Sequence, residues 1–443
     1  MNLIQLFQFA YFIIFLLICK KSCRNGILFF WGSLFIIPSI ILNIHIVSFI
    51  NVYVLQIIIA SFFFLFNANY KQSFLAFCKN SKSAILIIFI MYALTIIFSD
   101  EVPFKIQCYY FLKELFQFLI IIETFIIAKN DSSFILRLYK ILLILLLCNI
   151  AYSFIFEICF RTNPAGLPLY LLIGQDNNEY LVDAIDSQRG TMGFRLQSIF
   201  GHPLSLGQYY LLMIPLFLSN MQYSKKYEWI IAILLSVNIF LSGTRGAIFP
   251  MLLILGLYMI KSNIRFYKLI LILPLFVIAY LFLPLQKQQI IDNYYDSLTT
   301  YIQFWDDKKQ AKYNVEGSSI NMRIEQFKAA KAEIKHNILF GKGIGYREYY
   351  QEQHNQLHPQ LLGYESFVLL KLVEQGWIGI FIFLLIISYL YYILSKECPN
   401  TLILQLIFIA FLFSTFMTGI RPFSFLLLGL SGIIATKNNN QKT

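Results

Sequence analysis

Charge is what this sequence has least of. Of its 443 residues 13% are Asp, Glu, Lys or Arg and 58% are hydrophobic, where a soluble globular chain carries roughly 25% charged residues. An ordinary soluble domain is excluded. Cysteine pairing is also lacking. The seven cysteines (19, 23, 78, 108, 148, 159 and 398) form no CxxC, and none lies in the long polar stretch 286–363, which argues against a disulfide framework and a zinc site. The N-terminus shows no cationic n-region and no AxA-like site. Its first apolar run, about 4–19, is followed by Lys20, Lys21 and Arg24, the pattern of a retained span rather than a cleaved signal. No repeat, low-complexity tract or DxD-type acidic cluster stands out. The glycines of FGKGIGY follow no strand of a βαβ unit, so neither a dinucleotide fold nor a P-loop is supported. His354 and His358 stand four apart, but Pro359 interrupts a helix there and no third ligand is near. No metal is expected.

What the chain has in quantity is apolar runs long enough to cross a bilayer, about 17–25 residues each. They fall near 4–19, 27–43, 46–66, 83–99, 107–128, 136–158, 204–220, 228–241, 246–260, 268–285, 367–395, 401–418 and 422–436. The expected fold is all-α, a polytopic transmembrane bundle of about 12–13 spans forming one integral membrane domain over residues 1–443. Barrel strands would be shorter and alternating.

The formal charge of +12 is no nucleic-acid footprint, because Lys and Arg sit mostly in short connectors. Lys20/Lys21/Arg24, Lys71/Lys79/Lys82, Lys225/Lys226, Lys261/Arg265/Lys268 and Lys437/Lys442 fall on one side. Asp100/Glu101 and two long loops, 159–203 and 286–363, fall on the other. The positive-inside bias makes the first side cytoplasmic and the long loops extracytoplasmic. Within the second loop, residues 321–338 place Ile324, Phe327, Ile334 and Ile338 near one helical face. Asn321 can cap this helix and Gly341 can end it. It is expected to lie on or near the outer membrane surface.

A few polar residues need a reason against this background. Arg245, in FLSGTRGAIFP, is pinched between two apolar runs. It is either a functional group, the default for a charge so placed, or a helix-end arginine reaching the headgroups. Ser242, Gly243 and Gly246 around it allow close backbone approach and room for a bulky anion. Arg195, seven residues before His202, reads as an interfacial anchor or as part of the chemistry. Arg323 opens the loop helix against its dipole, which a bound anion would reconcile; an ordinary solvated arginine is the plainer reading. Lys342 lies in a glycine-rich turn of the kind that can form an anion nest. Glu365 stands at the mouth of the 367–395 run. Low dielectric disfavours its charged form, which suits a general base, although a first-turn acid is common.

Four segments together resemble the O-antigen polymerase/O-antigen ligase superfamily of bacterial membrane glycosyltransferases: RLQSIFGHPLSLGQYY (195–210), LSGTRGAIFPMLL (241–253), MRIEQFKAAKAEIKHNILFGKGIGY (322–346) and ESFVLLKLVEQGWIG (365–379). The last resembles the ligase signature of His, then Asn/Ser/Gln, nine residues and Gly-x-x-Gly. Glu365 replaces that His, while Ser366, Gly376 and Gly379 hold. The departure leans toward the polymerase branch.

The resemblance implies a GT-C-like enzyme in the bacterial cytoplasmic (inner) membrane, multi-pass, with its active site on the periplasmic face. It would polymerise undecaprenyl-pyrophosphate-linked oligosaccharide repeat units into O-antigen or capsule by inverting transfer without metal or cofactor. By resemblance Arg245, Arg323 and Arg195 would bind the pyrophosphate and Glu365 would deprotonate the acceptor hydroxyl. His202, His358 and Lys342 are candidates for the acceptor side or the loop. The partners would be lipid-linked donor and acceptor, the membrane and a chain-length regulator protein. The alternatives are an O-antigen ligase, transferring the glycan to lipid A-core or protein, and a polysaccharide flippase. Against the flippase, no repeat is visible and the suspicious charges gather at the outer face, whereas transporters often carry repeats and midplane sites.

Overall fold

The computed structural model describes residues 3–37, 42, 45–47, 50–160, 162–164, 195–218, 225–261, 320–354, 366–398, 401–419 and 423–436. The span expected near 268–285, most of both long loops, Glu365 and His358 lie outside these.

The regular elements among the described residues are helices apart from one small hairpin. We number the helices α1 (Leu3–Lys21), α2 (Cys23–Ser33), α3 (Val52–Phe66), α4 (Ala68–Asn80), α5 (Lys82–Phe98), α6 (Phe104–Asn130), α7 (Ser132–Tyr152, continued by a π-helical turn to Cys159), α8 (Pro203–Phe217), α9 (Lys225–Leu241), α10 (Arg245–Lys261), α11 (Ile320–Glu333), α12 (Tyr346–His354), α13 (Phe367–Glu397), α14 (Thr401–Met417) and α15 (Ser424–Ala435). Two antiparallel strands, β1 (His45–Val47) and β2 (Ile50–Asn51), precede α3.

Most expected spans appear within a few residues. Three differ. The run 27–43 is helical only to Ser33, and the run 46–66 starts as the β1–β2 hairpin, a five-residue exception in an all-α fold. Helix α4 was not expected. It leaves α3 at 102°, started by Asn67, whose side chain accepts from the N–H groups of Asn69 and Tyr70. None of its residues is buried, as suits a helix lying along a membrane interface.

Helices α8 and α15 form the centre. Nearly every residue of both is buried, the condition of a helix that is apolar all round. The periphery is apolar as well: Phe9, Ile90, Ile97, Ile233, Leu252 and Phe381 are all exposed. Soluble monomers rarely carry such extended apolar surface; lipid is the solvent that accepts it. The protein is an integral membrane bundle. By length and composition residues 132–159 and Phe367–Glu397 cross a bilayer outright, and α3 with α4 does so only as a bent pair. By that measure the described residues do not reach 12–13 full spans; Lys82–Phe98, Thr401–Met417 and Ser424–Ala435 are apolar but shorter.

The connectors gather at two ends, as the charge pattern requires. At one, Arg24 pairs with Asp131, Lys129 with Glu397 (2.5 Å), and Asn130 donates to Ser73 (3.2 Å). At the other, Glu101 pairs with Lys342, and the start of α8 meets the start of α10.

Candidate functional site

The first element of the site is a tight turn. Ser242 to Thr244 joins α9 to α10, and Gly243 turns it at φ +62°, a conformation open to glycine at no steric cost. The segment before α8 lies against this turn. Arg195, buried, donates through Nε to Ser242 O (2.7 Å) and through Nη2 to Thr244 Oγ1 (3.4 Å). Leu196 N–H donates to Leu241 O (3.3 Å). Two segments about 45 positions apart in the chain are thereby joined, with Arg195 as the tie. Arg245 follows directly as the first residue of α10, its Nε and Nη2 shut off from solvent. His202 caps α8, its Nδ1 accepting from Leu204 N–H (3.1 Å).

Thr418, at the end of α14, links this turn to α13. Its carbonyl accepts from Phe367 N–H (3.4 Å), and its hydroxyl accepts from Gln208 Nε2 (2.6 Å). Its methyl fills the space over Gly246, where an added Cβ would stand 2.2 Å from Cγ2. The expectation that Gly246 leaves room for an anion is therefore corrected: the room is taken by Thr418, and Gly246 serves helix packing. The N-terminus of α13, which follows Glu365 in the chain, thus docks one residue's width from the Arg245 turn.

The second element is a break in α13. Gly376 has φ +62° and ψ −155°, a region essentially restricted to glycine. The break exposes backbone groups on both sides, and residues 338–345 take them up. Lys342 and Gly343 N–H groups donate to Val373 O (2.9 Å) and Glu374 O (2.8 Å). Trp377 and Ile378 N–H groups donate to Ile338 O (3.1 Å) and Leu339 O (3.2 Å). Gly345 N–H donates to Glu374 Oε1 (3.1 Å). The glycine-rich turn is therefore no anion nest: the N–H groups of Lys342, Gly343 and Gly345 are spent on α13, that of Gly341 on Asn337 O and that of Ile344 on Gln107 Oε1 of α6. Lys342 pairs with Glu101 and Glu333 (3.8 Å to the latter), and its carbonyl accepts from Glu101 and Val102 N–H groups. It is a strut of the loop.

The loop helix differs from expectation in its end, its cap and its faces: Ile334 is buried, while Ile324, Phe327 and Ile338, expected beside it, are exposed. It ends at Glu333, and Asn321 lies inside it rather than capping it. Its inward face is Gln326, Ala329, Ala330 and Ile334, packed near Leu372 and Val373 of α13. Ile324, Phe327 and Ile338 point outward and are about half exposed, the placement a membrane surface would cover. Small alanines allow α11 to approach α13 closely, which pattern counting on large apolar residues overlooks. Arg323 stands in the first turn of α11, half-buried.

A polar group inside the bundle joins Lys371 and Glu374, charges the sequence places in the apolar run after Glu365 without a partner. Lys371 Nζ contacts Glu114 Oε1 (2.5 Å) and Gln375 Oε1 (3.0 Å). Glu114 Oε2 accepts from Tyr92 OH (2.5 Å), and Gln375 Nε2 donates to Thr95 Oγ1 (3.3 Å). These lie on a cavity of about 400 Å³ between α5, α6, α12 and α13. Lys371, Glu374 and Gln375 share one face of α13, as positions three and four apart do. That spacing, inside an apolar run, was the available signal. Among the described residues no three His, Cys, Asp or Glu side chains gather as metal ligands. All seven cysteines are free.

The glycine-rich loop outside the bundle also holds an ionisable ring. Burial pushes the Tyr346 hydroxyl above its ordinary range, and the carboxylates of Glu333 and Glu101 add to this.

A model of the family described as O-Antigen ligase matches residues 230–384. The matched stretch holds Arg245, Arg323, Glu365, the glycine-rich loop and the α13 break; Arg195 and His202 precede it. No match to a curated protein was found.

Proposed function

From the similarity of residues 230–384 to the O-antigen ligase family, we propose that the chain is a member of the O-antigen ligase/polymerase superfamily and polymerises undecaprenyl-pyrophosphate-linked oligosaccharide repeat units at the outer face of the bacterial inner membrane. The observation that carries this reading is convergence. Arg195 and Arg245 meet at one turn, and the α13 N-terminus that follows Glu365 docks beside it through Thr418.

The reaction is attack of a sugar hydroxyl on an anomeric carbon, with the lipid pyrophosphate leaving. Negative charge develops on the leaving oxygen, and fixed cations there lower the barrier most. Arginine suits this because its planar fork meets phosphate oxygens in pairs. Arg245 and Arg323 hold the pyrophosphate, Arg195 supports the turn, and Glu365 takes the proton from the acceptor hydroxyl. Attack opposite the leaving group inverts the anomeric centre. The arginines do the charge work, so the reading needs no metal. In architecture it is GT-C-like, and a chain-length regulator is its expected protein partner. His202 and His358 are left to the acceptor side; His202 already serves as the α8 cap.

The ligase alternative has one observation in its favour, the description of the matched family itself. Glu365 in place of the signature His favours the polymerase. Surface glycans from a deletion strain, complemented with wild type or Glu365→Gln, separate the two. A ladder collapsed to one repeat unit on the core indicates the polymerase. Loss of every glycan-bearing band with accumulation of lipid-linked polymer indicates the ligase. Restoration of the wild-type pattern by Glu365→Gln removes Glu365 from the chemistry.

A further inference from the structure

The charged cavity does not end within the outer half of the bundle. Its lining runs down α13 from Phe367 to Ile386 and along α6 as far as Phe118. A second cavity of about 310 Å³ starts at the same two side chains, Phe118 and Ile386, and continues to Leu119 and Ile122 on α6 and Ile393 on α13. Phe74 and Phe77 of α4, the helix bent away from α3, also line it. Its lining is apolar but for the edges of Cys78 and Tyr389.

From Phe367 to Ile393 the slot follows α13 for roughly 35–40 Å at ~1.5 Å per residue. The hydrocarbon core of a bilayer is about 30 Å thick, so the slot runs its full depth. An acyl chain of an ordinary phospholipid reaches only about half that far. The upper rim is polar. Lys371 is engaged by Glu114, and Glu374 by Gly345 N–H. Lys113 and Arg347 stand at the same rim with Glu348, and among the described residues neither cation enters an ion pair. A phosphate suits the two cations, and sugar hydroxyls suit Glu348 and the Tyr110 ring. None of Arg195, Arg245 or Arg323 lines this slot.

The geometry points to a second lipid-phosphate site, separate from the arginine turn: a slot for a single long polyprenyl tail, its phosphate at Lys113 and Arg347 and its tail between α6 and α13 down to α4. The identity of the occupant rests on the lipid-linked-glycan reading above. A polymerase must hold two such lipids at once, and this slot is the acceptor's.

The test is native mass spectrometry of the full chain with undecaprenyl phosphate and, for comparison, farnesyl phosphate. Wild type should bind two undecaprenyl phosphates and hold the farnesyl lipid more weakly. Leu119→Trp fills the lower slot and should lose one equivalent, with affinity there falling at least about tenfold, since a few buried methylenes carry that much. Leu252→Trp, on a lipid-facing surface of α10, should bind as wild type does. Arg245→Lys should keep the slot equivalent. The proposal is overturned if Leu119→Trp binds like wild type, if tail length makes no difference, or if Arg245→Lys and Leu119→Trp lose the same single equivalent. The surface-glycan experiment is independent: a deletion strain with normal glycans would sink the transferase reading while slot binding, if seen, stood.

Discussion

Replacing Gly376 with alanine tests the docking of the glycine-rich loop most directly. The new Cβ would stand 2.4 Å from both the carbonyl carbon and oxygen of Leu339. Those are backbone atoms, so neither can swing aside. The backbone conformation itself, φ +62° and ψ −155°, costs a non-glycine residue about 1–3 kcal/mol. If the loop lifts to relieve the clash, up to four backbone hydrogen bonds between 338–343 and 373–378 are lost, at about 0.5–1.5 kcal/mol each. The expected loss is therefore roughly 3–9 kcal/mol of local stability, enough to open the loop while the bundle stays folded. Hydrogen exchange reads this: the amides of Trp377, Ile378, Lys342 and Gly343 should lose protection while the α8 core keeps its own. Gly256, with nothing within 4 Å of its Cβ position, should accept alanine without effect. Protection unchanged in Gly376→Ala would refute the strut.

Three further outcomes are expected. Gly246→Ala should impair glycan assembly through contact with Thr418, and Thr418→Ser, which removes that methyl, should restore it; an unimpaired single variant would show that the contact gives way. Glu157 accepts from the N–H groups of Gln197 and Ser198 at 3.0 Å each, and Ser198 sits at φ +51°. Glu157→Gln should therefore cost about 1.5–3 kcal/mol by thermal melting and weaken donor use along with Arg195, with wild-type behaviour in both assays counting against it. At the connector, desolvation acts upward on Asp131, but hydrogen bonds from Ser133 and Arg24 outweigh it and hold the carboxyl low. A depressed folded-state value gives stability above the ordinary carboxylate range that is lost as pH falls through it. The melting difference between wild type and Asp131→Asn should be small at neutral pH, as an exposed pair implies, and should disappear in acid; a difference that grows in acid would reverse the assignment.

Much of the architecture was legible in the residues alone. Apolar runs fall where α1, α5–α10 and α13–α15 lie, because in lipid a backbone must satisfy its own hydrogen bonds and helices do so within one run. The distribution of Lys and Arg predicted that the Arg24 and 71–82 connectors share an end, and both bond to the 130–131 connector, through Arg24–Asp131 and Asn130–Ser73. Three of the four segments that carry the resemblance, 241–253, 322–346 and 365–379, lie within the match over 230–384, and 195–210 lies outside it. Hydropathy says nothing of direction, so the 102° bend between α3 and α4 was invisible: Phe66 and Ala68 differ little in apolar character, and Asn67 decides. Only the tertiary structure decided what the signature glycines are for. Gly376 breaks α13 and accepts the 338–345 loop, and Gly246 admits Thr418. In both cases the partner is distant in sequence, and a glycine's purpose is the shape of what presses against it. The Lys371–Glu114 pair was hidden for the same reason. Each charge is costly alone inside a membrane protein, and only folding brings the two residues, 257 positions apart, within reach of each other.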